Sequence, residues 1–213
     1  MFRRGLFYTY LSIYFRDFLG LSVTETTLYA TLPMIMSVIF QNFVWGPISD
    51  KFQRRRTLII LGEILAGFGT ILVWFIHYSF TNLFVAGYVI IFGLAIIEIF
   101  WSMSNIGWSA LISDLYPSLH RSKIMGQLTS IGGIGRMVGI TIGGLLFDYG
   151  FGFRNGRLFA ISSFVMFVST LPMLFIPEGG IHLRKILRAQ TRVEGAHRGV
   201  ERADDECSCV PGL

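Results

Sequence analysis

Charge is scarce in this chain. Asp, Glu, Lys and Arg make up 15% of its 213 residues, against about 25% in an ordinary soluble domain. That is too little polar surface for a water-facing fold of this size. Cysteine is nearly absent: Cys207 and Cys209 are the only two. One residue between them is poor spacing for a metal site, and no second pair exists to complete one. The two read as reduced thiols, with a lipidated tail as the alternative. Catalytic signatures are missing as well. There is no His-Glu-x-x-His, no Gly-x-Ser-x-Gly and no phosphate-binding loop, so the chain is not read as an enzyme and implies no cofactor. Its basic residues are not interleaved with a soluble fold, which excludes nucleic acid as a partner.

What is abundant is apolar surface. Hydrophobic residues reach 53%, with 20 Phe and a mean hydropathy of +0.59. A 213-residue core cannot hide that much, so the bilayer is the expected solvent, lipids are expected partners, and the location is the cell membrane. Six apolar segments can be read: Leu6 to Leu19, Leu28 to Trp45, Leu58 to Ile76, Leu83 to about Ile112, Ile124 to Phe147, and Leu158 to Ile176. These runs are too long and too uniformly apolar for barrel strands, so they read as helices. Pro33, Gly67, Gly69, Gly93 and Gly107 lie inside them, as membrane helices tolerate. A span needs about 20 residues. The first segment would rise only about 21 Å, and no signal-peptide pattern explains the shortfall. The expectation is a chain whose first helix lacks its beginning.

Lys and Arg set the orientation. With the N-terminus in the cytoplasm, Arg3, Arg4, Lys51, Arg54, Arg55, Arg56, Arg121 and Lys123 lie inside, as does every basic residue of the tail. Only Arg154 and Arg157 lie outside, as the positive-inside rule requires. Residues 1–178 read as one membrane domain. Residues 179–213 are polar and charge-mixed, and read as a disordered cytoplasmic tail or as non-native sequence.

The densest charge cluster before the tail is Gly46-Pro47-Ile48-Ser49-Asp50-Lys51-Phe52-Gln53-Arg54-Arg55-Arg56, wedged between the second and third segments. Gly46, Asp50, Lys51, Arg54 and Arg55 resemble the loop signature of the major facilitator superfamily, G-x-x-x-D-R/K-x-G-R-R/K. Gln53 stands where that family has Gly, which disfavours a turn with φ > 0. Gly46 suits a close helix crossing, and Asp50 with the arginines suits a charge-assisted lock. Three further stretches resemble the family: Leu19-Gly20-Leu21-Ser22 at the end of the first helix, Asp114-Leu115-Tyr116-Pro117 with Arg121, Lys123 and Gly126 in the fourth-to-fifth loop, and Gly135, Gly139, Gly143 and Gly144 in the fifth segment. The last resembles an antiporter pattern, with Ile140 in place of its Pro, and also reads as a small-residue packing face. Val89 stands where proton-coupled exporters of the family carry Arg.

The resemblance implies an all-α membrane protein: six transmembrane helices, half of a twelve-helix fold. It implies secondary transport of a small solute by alternating access, with a proton or sodium ion as coupling partner and a second six-helix half. The loop would be the gate, formed by Gly46, Asp50, Lys51, Arg54 and Arg55. A truncated inactive product, or a membrane adaptor without transport, is the alternative. Glu98 and Arg136 fall near the middle of the fourth and fifth segments and are expected to form an ion pair at the midplane. Glu98, Ser102, Asn105 and Ser109 share one helical face flanked by Trp101 and Trp108, which reads as cavity lining. By the resemblance, Tyr10 and Tyr14 of the first helix and Gln41 and Asn42 of the second are also cavity candidates. Glu63 is expected to pair with the basic loop, Arg16 with Asp17, and His77 to sit at the interface.

Overall fold

The computed structural model describes residues 1–178. The tail and its two cysteines lie outside the described residues. Every regular element among them is helical. Helix α1 spans residues 4–18, built from Arg4–Tyr8, Thr9–Ile13 and Tyr14–Phe18 without a break. It is followed by α2 (Val23–Phe52), α3 (Arg55–Ser79), α4 (Leu83–Leu115), α5 (Ser118–Phe147) and α6 (Arg157–Thr170). A turn at Pro172–Phe175 extends α6. A short helix at Phe151–Arg154 lies between α5 and α6, and five of the six numbered helices are long and apolar enough to cross a membrane. The exception is α1, whose length is about 22 Å at 1.5 Å per residue.

Each helix boundary has a local cause. Gly20 sits at φ +69, which lets the chain reverse so that the Leu21 N–H reaches the Phe15 carbonyl at 2.9 Å. Ser22 then caps α2. Its backbone N–H donates to Glu25 Oε2 at 2.8 Å, and its hydroxyl accepts from the Glu25 N–H at 3.3 Å. The second helix therefore starts at Val23, five residues before the apolar run at Leu28. Near its other end α2 contains Pro47, which has no N–H and crowds the carbonyl four residues back. The helix opens into a wide turn over Gln41–Trp45, where the Gly46 N–H reaches the Gln41 carbonyl. Gly46 belongs to this turn. A Cβ there would meet only the Gln41 oxygen, at 3.1 Å, so the expected helix crossing at Gly46 is not found. Gln53 ends α2 at φ +54, ψ +22. The left-handed turn that its side chain disfavours is made nonetheless.

Short connections make consecutive helices antiparallel. The start of α1, the α2–α3 loop, the α4–α5 loop and the end of α6 thus share one end of the bundle, called here the loop end. The core forms around α1, where Leu6, Phe7, Leu11, Tyr14 and Phe15 are fully buried with Phe153 and Phe159. The rings of Phe7 and Phe159 meet edge-on at 4.9 Å. Against α1 lies α5, contacting it through glycines. A Cβ at Gly143 would come within 2.7 Å of the Leu6 carbonyl, and one at Gly139 would overlap that of Phe2. Large apolar side chains such as Phe43, Phe68, Phe75, Ile131 and Leu145 face outward, as a lipid-facing surface requires.

Candidate functional site

Two polar centres stand out in the bundle. The first is at the loop end. Arg55, the first residue of α3, is buried although it carries a full charge. Its Nε lies 3.4 Å from Asp114 Oδ2, at the end of α4, and its Nη2 lies 3.2 Å from Asp50 Oδ1, on α2. Its Nη1 donates to the carbonyl and hydroxyl of Ser49. One guanidinium therefore ties three helices with most of its donors engaged, the condition under which a buried charge is tolerated. The two carboxylates differ sharply in setting. The side chain of Asp114 is 1% exposed and that of Asp50 is 81% exposed. Lys51 and Arg54 point outward. Lys51 lies over the Phe52 ring at 5.8 Å, and among the described residues Arg54 forms no ion pair. Arg56 reaches the end of α6 instead, donating to the Ile176 carbonyl at 3.0 Å and pairing with Glu178 at 3.9 Å.

The second centre is a pair of adjoining cavities. One, of about 580 Å³, lies between α1, α2, α4 and α5 and is lined by Arg4, Tyr8, Pro33, Ser37, Glu98 and Arg136. The other, of about 410 Å³, lies toward the loop end between α1, α3, α4 and α6. Arg3, Glu63, Trp101, Asn105 and Trp108 line it, and Arg4 lines both. Glu98 and Arg136 thus share a cavity, but the ion pair of Glu98 is with Arg4, at 3.8 Å. Arg136 lies beyond ion-pair distance of Glu98, so the expected midplane pair is not formed. The guanidinium of Arg4 also stacks over Trp101, 4.4 Å from the ring centroid.

Other candidates are placed differently. Tyr14 is fully buried, its hydroxyl 2.9 Å from His77 Nε2. The other nitrogen of His77 is 3.0 Å from the Ala86 carbonyl. Expected at an interface, His77 is fully buried in the bundle. Tyr10 packs onto α5, donating to the Ile140 carbonyl at 2.9 Å. Asn42 spends its amide on the Val38 carbonyl of its own helix and is exposed, and Gln41 opens the wide turn of α2. Ser102 is buried and donates to Ile99, while Ser109 is exposed. Gly135 and Gly144 join Gly139 and Gly143 on the side of α5 that meets α1, Gly135 with a looser approach of 3.8 Å to Phe2. Glu63 does not pair with the basic loop. It accepts from Ser104 at 2.9 Å and Ser169 at 3.5 Å. Arg16 and Asp17 are both exposed and form no ion pair with each other.

A family model described as Major Facilitator Superfamily matches residues 1–195. The chain belongs to the major facilitator superfamily. It is a multi-pass membrane protein of the transporter type, consistent with its five membrane-length helices. No curated protein and no solved structure matches it. Within this superfamily member, sequence reasoning misses the inward placement of Arg3 and Arg4 at the cavities. Both stand directly before the first apolar run and read as orientation charges. Tertiary packing turns them inward over Trp101, and no local pattern announces that. The pairing of Arg55 with Asp114 spans 59 positions and has no local signal either.

Proposed function

We propose that this chain forms the six-helix half of a secondary transporter, residues 1–178, and serves alternating access of a small solute. Its N-terminus and loop end face the cytoplasm, because the basic residues outside the tail gather there. The observation that carries the reading is Arg55, buried between Asp50 and Asp114 across three helices. An ion pair with one buried and one exposed partner can be opened on its exposed side while the buried side stays intact. That is what a gate at a membrane surface needs, with Gly46, Lys51 and Arg54 completing the loop. The cavities at Arg4, Glu98, Trp101, Asn105 and Arg136 lie next to this gate and suit the solute or a coupling proton or sodium ion. A second six-helix half completes the pathway.

The gate can be tested without knowing the solute. Cys207 and Cys209 are changed to Ser, Asn105→Cys is introduced, and sealed vesicles are treated with a membrane-impermeant maleimide. Labelling is expected from the cytoplasmic side only, and faster when Arg55→Gln is added. Labelling from the outer side alone, or at a rate indifferent to Arg55, would leave the membrane adaptor as the better reading.

A further inference from the structure

The cavity of about 410 Å³ at the loop end holds one group that no protein contact completes. Arg3 is 6% exposed, and its Nη2 has no hydrogen-bond partner among the described residues. Its guanidinium is held between two aromatic faces, 4.8 Å from the Trp101 centroid and 5.5 Å from that of Tyr8. Of the other charged groups nearby, the Met1 amino group lines the same cavity, and both carboxylates are engaged. Arg4 faces Glu98 at 3.8 Å. Glu63 accepts a serine hydroxyl at each oxygen, from Ser104 at Oε1 and Ser169 at Oε2. What the cavity lacks is an acceptor for Arg3. A buried donor left unmatched is costly, and a carboxylate or phosphate oxygen is the acceptor a guanidinium takes best. The remaining wall is apolar and aromatic, with Ile59, Met166 and Trp108 beside Trp101. A space of this size fits a small organic molecule.

We propose that the solute is an organic anion. Its carboxylate or phosphate oxygen binds Arg3 Nη2, and its apolar or aromatic body rests against Trp101 and Trp108. The proposal rests on the reading of the cavities as the solute path. The charge of the occupant follows from Arg3 Nη2, buried without a hydrogen-bond partner among the described residues, and from the Met1 amino group in the same cavity, while Glu98 faces Arg4 and Glu63 accepts its two serines.

The test is equilibrium binding to the full chain in phosphatidylcholine nanodiscs. Labelled benzoate is the anion probe, and benzamide is its neutral counterpart of the same shape. Benzoate is expected to bind at least about tenfold tighter than benzamide, the size of one charge-assisted hydrogen bond. Arg3→Gln is expected to abolish that preference, and Arg3→Lys to restore part of it. Arg16→Gln, on the exposed far end of α1, should change neither. The comparison of the two probes needs no variant, so a misfolded Arg3→Gln chain would not obscure it. Equal binding of benzoate and benzamide overturns the proposal. So does loss of benzoate binding on doping the discs with phosphatidylglycerol, which would make the cavity a lipid headgroup site. Selective binding with no gated labelling of Asn105→Cys would keep the anion site and sink the transport reading. Gated labelling with unselective binding would do the reverse.

Discussion

The asymmetry around Arg55 gives the sharpest prediction. Asp50→Asn and Asp114→Asn each remove one carboxylate from the same guanidinium at similar distances, 3.2 and 3.4 Å. Distance alone predicts equal effects, whereas burial predicts very different ones. The Asp50 side chain is 81% exposed, so its pair is screened and its removal costs about 1 kcal/mol or less. Asp114 is 1% exposed. Its removal leaves a buried charge undercompensated, which costs about 3–5 kcal/mol. Arg55 keeps the Ser49 carbonyl and hydroxyl, so the lower end, about 3 kcal/mol, applies. For a domain of this size each kcal/mol moves the midpoint by about 2–4 °C. Thermal unfolding in detergent should therefore show Asp114→Asn falling by about 6–12 °C and Asp50→Asn by less than about 4 °C. Adding Arg55→Gln to Asp114→Asn should recover part of the loss, because the stranded charge is gone. If the two single variants melt together, burial does not control this centre, and the distinction between a fixed and an openable partner fails.

Gln53→Gly should raise the melting midpoint by the equivalent of about 1 kcal/mol, since it removes a side chain held at φ +54. A lower midpoint would show that the side chain contributes more than its strain costs. Gly139→Ala should cost about 1–3 kcal/mol by thermal unfolding, because its methyl meets the Phe2 carbonyl of α1. Gly133→Ala, with nothing within 4 Å of the new carbon, should be neutral or stabilising, so equal loss in both would remove the α1–α5 contact as the cause. Tyr14→Phe should cost about 1–3 kcal/mol by leaving buried His77 without its hydroxyl partner, and an unchanged midpoint would mean that bond carries no net stability.

Five of the six expected spans are legible because the bilayer imposes them. Long apolar runs have few alternatives in lipid, and the chain interrupts its own runs with charge. Helix starts were less so. The apolar run suggested Leu28, but α2 begins at Val23, and the signal was present in Ser22-x-x-Glu25, a capping box that hydrophobicity does not register. The turn at Gln53 shows the opposite limit. Local preference argued against φ > 0 there, but the two helices it joins fix the reversal, and tertiary packing overrides about a kcal/mol of propensity. Site residues divided by the range of their contacts. Asp50 and Arg55 lie five positions apart and could be read from one motif. Glu98 lines a cavity, and its ion-pair partner there is Arg4 rather than the expected Arg136. Depth ranks residues along the membrane normal but does not say which helix lies alongside. Tyr14 and His77 were misplaced for the same reason, since a polar group in lipid can face a cavity or another polar group, and only packing decides.

Both polar centres rest on one pair of helices. Arg55 and Glu63 belong to α3, while Glu98, Trp101 and Asp114 belong to α4. The two helices are tied at Arg55–Asp114 and at Ser104–Glu63. Between those ties they approach closely through glycine. A Cβ at Gly62 would lie 2.8 Å from the Phe100 carbonyl, and one at Gly107 2.9 Å from that of Arg55. A contact this close has no slack and does not deform gradually. The α3–α4 pair therefore behaves as one body from the loop to the cavity. On the proposed mechanism, opening the loop end does not part α3 from α4. It parts that pair from α2, whose tie at this centre runs through Asp50, the exposed carboxylate, and through the Ser49 contacts beside it. This gives Asp50 and Asp114 distinct jobs despite a shared partner: Asp114 holds Arg55 in place within the rigid pair, and Asp50 is the contact that can be made and broken.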